Sequence, residues 1–192
     1  MKIQVILGST RPGRNGEAVA KWVAEAAQKH SEIDVELVDV ADYNLPLLDE
    51  PLAPSQGQYS NAHTKKWAEK IAQADGYIFV TAEYNHSVPG ALKNAIDYLY
   101  AEWNNKAAGF VSYGAASSGS RAVEHLRGIM GELQIADVRA QVLLSLIHDF
   151  ENFSVFQPKP QHEESLNAML AQLVSWSEAM KSVREKLAIT QE

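Results

Sequence analysis

The residues with the clearest capacity for chemistry lie near the amino terminus, in the run Gly8-Ser9-Thr10-Arg11-Pro12-Gly13-Arg14-Asn15-Gly16. Its glycines allow backbone N–H groups to converge, Ser9, Thr10 and Asn15 add side-chain donors, and Arg11 and Arg14 add positive charge. Such a set binds an anion, and a phosphate above all. What the loop omits narrows the choice. Gly8 and Gly13 have the spacing of a Walker A loop, but Arg14-Asn15 stands where Lys followed by Ser or Thr must reach terminal phosphates and magnesium. A dinucleotide fingerprint needs glycine at its third position, where the side chain of Thr10 instead obstructs a pyrophosphate. A monophosphate fits the loop better. The alternative, a tight turn whose Gly and Pro serve geometry alone, is weakened by two arginines beside a helix start.

The elements that must position this loop follow from periodicity. Lys2 to Gly8 is a β-branched apolar run ending in glycine, which predicts a strand buried on both faces. Glu17 to Lys29 places Ala18, Val19, Trp22, Val23, Ala26 and Ala27 at helical spacing, so the loop opens onto a helix amino terminus. The alternation continues with strands at Asp34 to Val40, Gly76 to Thr81, Lys106 to Tyr113 and Asp137 to Leu146. Helices are expected from about Ser60 to Gln73, from Pro89 as first helical residue to about Tyr100, from Arg121 to Leu133 and from Glu163 to Lys186. Five strand–helix alternations imply a parallel sheet with helices on both faces. Asp42 to Gln58 and His148 to Pro160 escape the pattern and read as ordered excursions near a site or at a subunit contact.

Composition excludes several functions. The 192 residues suit one domain spanning 1–192, and the net charge of −7 repels nucleic acid. The absence of cysteine removes disulfides, thiolate catalysis and Cys-ligated clusters. The apolar amino-terminal run is too short for a signal peptide and no later run approaches a membrane span, so a cytoplasmic protein without a membrane partner is expected. The six histidines lack paired ligand spacing, no metal site is expected, and there is no Gly-x-Ser-x-Gly elbow.

In an open parallel sheet, ligands sit beyond the carboxyl ends of the strands. The loops expected there are Thr81-Ala82-Glu83-Tyr84-Asn85-His86-Ser87-Val88-Pro89-Gly90 and Ser112-Tyr113-Gly114-Ala115-Ala116-Ser117-Ser118-Gly119. Small, polar and aromatic residues with no charged catalytic cluster suit a planar heterocycle gripped by the backbone. Gly8-Ser9-Thr10-Arg11, Glu83-Tyr84-Asn85 and Ser87-Val88-Pro89-Gly90-Ala91-Leu92-Lys93-Asn94-Ala95-Ile96-Asp97 together resemble the NADPH-dependent FMN reductase family, over about three quarters of the chain.

The resemblance implies a flavodoxin-like α/β sandwich with strand order 2-1-3-4-5 and bound FMN. It further implies that Ser9, Arg11, Asn15 and Gly16 contact the FMN phosphate, joined in the same loop by Thr10 and Arg14. Glu83, Tyr84 and Asn85, flanked by Ala82 and His86, would edge the isoalloxazine, and Gly114, Ala115, Ser117, Ser118 and Gly119 would close its other side. Ala82 departs from the proline many members carry there, which loosens the turn. The implied activity is hydride transfer from NADPH or NADH through FMN to a small acceptor such as a quinone, a flavin, an azo compound or chromate. It would run in ping-pong fashion with no catalytic acid or base. A single-electron flavodoxin carrier and a cofactor-free binding protein are the alternatives. Tyr98, Tyr100 and Trp103 are expected either in the core or as exposed aromatics at an interface, and the resemblance favours a homodimer or homotetramer with sites near the subunit boundary.

Overall fold

A computed structural model describes residues 1–190; residues 191 and 192, the last two of the expected domain, lie outside the described residues. Five parallel strands, β1 (Lys2–Leu7), β2 (Asp34–Asp39), β3 (Gly76–Ala82), β4 (Lys106–Gly114) and β5 (Ile135–Ser145), lie in the order β2-β1-β3-β4-β5. Every residue of β3 and β4 is buried, which explains their continuous apolar runs. The helices are α1 (Gly16–Ala27), α2 (Ala62–Ala72), α3 (Gly90–Asp97), α4 (Ser120–Glu132) and α5 (Pro160–Thr190). Val19 and Val23 of α1 and Leu166, Leu170 and Leu173 of α5 cover one face of the sheet. Trp67 and Ile71 of α2, Leu92 and Ile96 of α3, and Leu126 and Met130 of α4 cover the other. Strand order reverses at β1 and β3, so their carboxyl ends frame the crevice that such sheets use for ligands.

Two expectations need correction. Pro89 immediately precedes α3 rather than opening it, and α3 stops at Asp97, short of Tyr100. Of the two readings of the aromatic cluster, the core holds for Tyr98 and Trp103, which are fully buried, while Tyr100 is half-buried. Their polar atoms find internal acceptors, Tyr98 Oη at Asp49 Oδ1 (2.9 Å) and Trp103 Nε1 at the Ile96 carbonyl (3.1 Å), which lets the large rings sit in the core. The excursion at 148–160 contains a small antiparallel hairpin, β6 (Phe150–Glu151) and β7 (Val155–Phe156), with strands too short for any sequence period to register. The excursion at 42–58 is ordered around two 3-10 turns, Val40–Tyr43 and Pro54–Gln56.

Candidate functional site

Backbone hydrogen bonds stitch the strand ends into one edge: Gly8 N donates to Val80 O, Glu83 N to Tyr113 O, and Leu146 N to Gly114 O, each at 3.0 Å. The loops that follow β1, β3 and β4 therefore leave the sheet side by side. In the first loop, α1 begins without a side-chain cap, so no side chain of the loop satisfies its first-turn N–H groups or offsets its positive dipole end. Gly16 has to be glycine by packing, since a Cβ there would lie 2.7 Å from both Leu7 Cδ1 and Tyr113 Oη. Ser9 is buried, with its Oγ 2.9 Å from Tyr84 Oη, while Thr10 is exposed.

The two arginines divide the work. Arg14 is turned inward: Nη1 donates to the Ser9 carbonyl (2.6 Å) and the guanidinium pairs with Asp39 and with Glu17 (3.0 Å). It braces the loop against the end of β2. Arg11 is exposed and makes no ion pair among the described residues, which leaves its charge available to a ligand. Asn15 gives its Nδ2 to the Phe153 carbonyl at 2.7 Å.

The third loop is a two-residue hairpin turn. Tyr84 N donates to Ser87 O (2.9 Å) and Ser87 N to Tyr84 O (3.0 Å), with Asn85 (φ 49) and His86 (φ 67) both left-handed. Such a turn directs the N–H groups of Asn85 and His86 away from the ladder, and among the described residues neither has a backbone acceptor. Glu83, beside it, is a clamp rather than a free carboxylate. Arg121 Nε (2.6 Å) donates to Oε1, and Ser117 Oγ (2.6 Å) and the Arg121 backbone N–H (3.2 Å) donate to Oε2. Burial pushes the Glu83 carboxyl up, but the bonds from Arg121 and Ser117 and the arginine's charge outweigh it and hold the group below the usual range. One carboxylate thereby ties the third loop to the fourth. In that fourth loop, Ser118 (φ 53) and Gly119 (φ 84) turn the chain sharply over Ser112, and a Cβ at Gly119 would lie 2.6 Å from Ser112 Cβ. Ala82 is buried as the last residue of β3, whereas Ala115 is exposed at the loop's start.

The structure thus gathers the three expected loops at one edge and separates Arg14 and Glu83, which brace it, from Arg11, which is free. Sequence reasoning missed Asp39 and Arg121, the charged partners of Arg14 and Glu83, and two further residues. Tyr113 is buried beneath Gly16, and burial raises its pKa, with the Ser9 side chain opposing only in part, so that it stays neutral. Phe153 reaches the first loop from 138 positions away through its carbonyl, an atom that carries no sequence signal. For Tyr113 the adjacency to Gly114 was the available signal.

The sheet order and the uncapped helix start beside its switch point define the flavodoxin-like class of α/β proteins. Comparison with known proteins carries this further. The profile of the NADPH-dependent FMN reductase family matches residues 1–149. An NAD(P)H-dependent FMN reductase of Schizosaccharomyces pombe is 37% identical over 187 residues, covering 96% of this chain and 93% of the relative. A quinone reductase of Escherichia coli is 39% identical over 136 residues, 67% of this chain and 70% of the relative. Among solved structures, the NAD(P)H:(acceptor) oxidoreductase FerB of Paracoccus denitrificans shares the fold with a TM-score of 0.71 at 19% identity, covering 93% of this chain and 98% of its own. The chain belongs to the NADPH-dependent FMN reductase family.

Proposed function

We propose that this chain is an FMN-dependent NAD(P)H oxidoreductase that passes hydride to a small acceptor of the quinone, flavin, azo or chromate type. The observation that carries the reading is the meeting of an uncapped helix start and a free Arg11 with two flanking loops at one sheet edge. The residues present suit FMN: a helix start with no side-chain cap, an exposed cation for the phosphate, and two left-handed residues whose N–H groups face away from the ladder. FMN supplies, when bound, the two-electron chemistry that connects NADPH or NADH to the acceptor. Ser9, Thr10, Arg11, Asn15 and Gly16 hold its phosphate, with Arg14 keeping the loop in shape. The N–H groups of Asn85 and His86 and the fourth loop at Gly114, Ala115, Ser117, Ser118 and Gly119 hold the ring edge and offset charge that develops there. Glu83 fixes the spacing of these two loops through Arg121. Tyr84 completes the wall, and Ala82 supports the turn from the core behind it.

The test is spectroscopic. Purified protein loaded with FMN should bleach on anaerobic addition of NAD(P)H and recover its yellow colour with a benzoquinone. Colourless protein that takes up no added FMN overturns the cofactor assignment, and bound FMN inert to NAD(P)H favours the single-electron carrier. We further propose that residues 1–192 act as one domain, that it works in the cytoplasm, where its reductant is abundant, and that it assembles as a homodimer or homotetramer. Two observations support these readings. Among the described residues no helix is long and apolar enough to cross a membrane, and an open groove of about 650 Å³ between α3 and α4, lined by Val88, Ile129 and Leu133, leaves apolar surface uncovered in one copy.

A further inference from the structure

The β6–β7 hairpin lies beyond residues 1–149, where the family profile ends, and no role follows for it from that membership. Its construction is more rigid than its length suggests. Phe150 and Phe156 pack with ring centroids 5.0 Å apart, Phe156 meets Trp22 of α1 edge-on at 5.5 Å, and Phe150 lies 6.4 Å from Tyr113. Its base is pinned by buried Asp149, which accepts from Ser145 N (2.7 Å) and pairs with Lys159 (2.9 Å). At the tip, Asn152 (φ 50) and Phe153 (φ 57) are both left-handed, a conformation that costs free energy in residues other than glycine. That strained tip presents one group to the rest of the protein: the Phe153 carbonyl, which accepts from Asn15 Nδ2 at 2.7 Å. The Phe153 ring itself is 63% exposed.

A carbonyl only accepts, so the bond settles which end of the Asn15 amide faces the hairpin. Because the amide is planar, it also fixes the direction of the remaining N–H. Asn15 immediately precedes α1 and makes no cap bond to its own helix. We infer that the β6–β7 hairpin is a positioning element for the phosphate seat, with the Phe153 carbonyl aiming the Asn15 amide at the phosphate of the flavin. The inference rests on the FMN reading above and deepens it. Asn15 touches the ligand; Phe153 acts through Asn15.

The test compares FMN with riboflavin, which lacks the phosphate, by fluorescence quenching on apoprotein. Asn152→Pro cannot keep a positive φ and displaces the exposed tip, whereas Val155→Thr changes an exposed strand side chain of the same hairpin and keeps the tip. Asn152→Pro should weaken FMN by about tenfold and leave riboflavin unchanged, as expected for a misaimed hydrogen bond to a charged group. Val155→Thr should bind both ligands as wild type does. In an Asn15→Ala background, Asn152→Pro should add nothing, because both changes remove one interaction. FMN affinity unaltered by Asn152→Pro overturns the inference, and so does equal loss of FMN and riboflavin, or additivity in the double variant. Circular dichroism of each variant confirms the fold before titration. Wild-type protein that binds neither flavin would overturn the FMN reading itself, a result distinct from any of these.

Discussion

At the scale of single residues, the two loop arginines give opposite expectations although the sequence presents them alike. Arg11→Ala removes an exposed charge with no ion-pair partner among the described residues, so FMN affinity should fall by about tenfold or more while the melting temperature of the apoprotein holds. Arg14→Ala breaks the bonds to the Ser9 carbonyl, Asp39 and Glu17, and should lower the melting temperature even without FMN. If Arg11→Ala leaves FMN affinity intact, its phosphate role is wrong. Glu83 offers a pH-dependent counterpart. Its folded pKa lies below the unfolded value, so the unfolded chain binds the proton more readily and the stabilisation is complete above the unfolded pKa. It is lost as pH falls through the lower folded value. Glu83→Gln should therefore cost about 1.5–3 kcal/mol at pH 7, with the gap to wild type closing in acid, as read from urea midpoints at pH 7 and below pH 4. The loop proposed as the phosphate seat, Gly8 through Gly16, stood out in the sequence because glycine, arginine and asparagine gather at a strand–helix junction, and the structure places it at that junction. The bracing of Arg14 by Asp39, of Glu83 by Arg121 and of Asn15 by Phe153 was not, because those partners are 25, 38 and 138 positions apart.

At the scale of elements, the strands and long helices were legible to within a few residues because burial imposes its period directly on the sequence. The buried runs of β3 and β4 left little else to read. The β6–β7 hairpin was not legible, since two-residue strands carry no period, and the interior fate of Tyr98 and Trp103 depended on backbone and carboxylate acceptors that only the fold supplies. One side chain joins elements at the opposite end of the sheet from the site. Lys106, the first residue of β4, donates to the last carbonyls of α2 at Ile71 (3.0 Å) and Ala72 (3.2 Å) and to Tyr77 Oη (2.9 Å). A cation suits a helix carboxyl end, but burial, aided by Arg184, pushes its pKa down to about 7 from 10.5. Between those values the unfolded chain holds the proton more tightly than the folded one, so stability rises with pH across that window. Below it both states are protonated and the full cost of a buried charge applies. Relative to Lys106→Met, wild type should gain in urea midpoint between pH 6 and pH 9; a constant difference would mean that the lysine stays charged throughout.

At the scale of the whole molecule, the three loops leave a single sheet edge, and the proposal places one FMN seat there. Donor and acceptor must then use the same place in turn, so initial-rate plots with NAD(P)H and a quinone should give parallel lines; intersecting lines would require a second binding place. The proposed assembly follows from what one copy leaves uncovered. With Tyr98 and Trp103 in the core, the aromatic end of α3 has nothing to offer a partner. The groove between α3 and α4 does, because Ile129 and Val88 are only partly covered there and Gly128 presents no side chain to keep a second helix at a distance. His125 Nδ1, in the same groove, is 2.8 Å from Ser87 Oγ, at the end of the turn that carries Asn85 and His86, which puts such an interface beside the site. Gly128→Glu, at an exposed helix position where a Cβ meets nothing within 4 Å, places a charge on this face without entering the core, so it should convert a sedimenting dimer or tetramer to a smaller species at micromolar concentration. A wild-type monomer under the same conditions would remove the assembly altogether, and an unchanged oligomer in the variant would move its interface to another face.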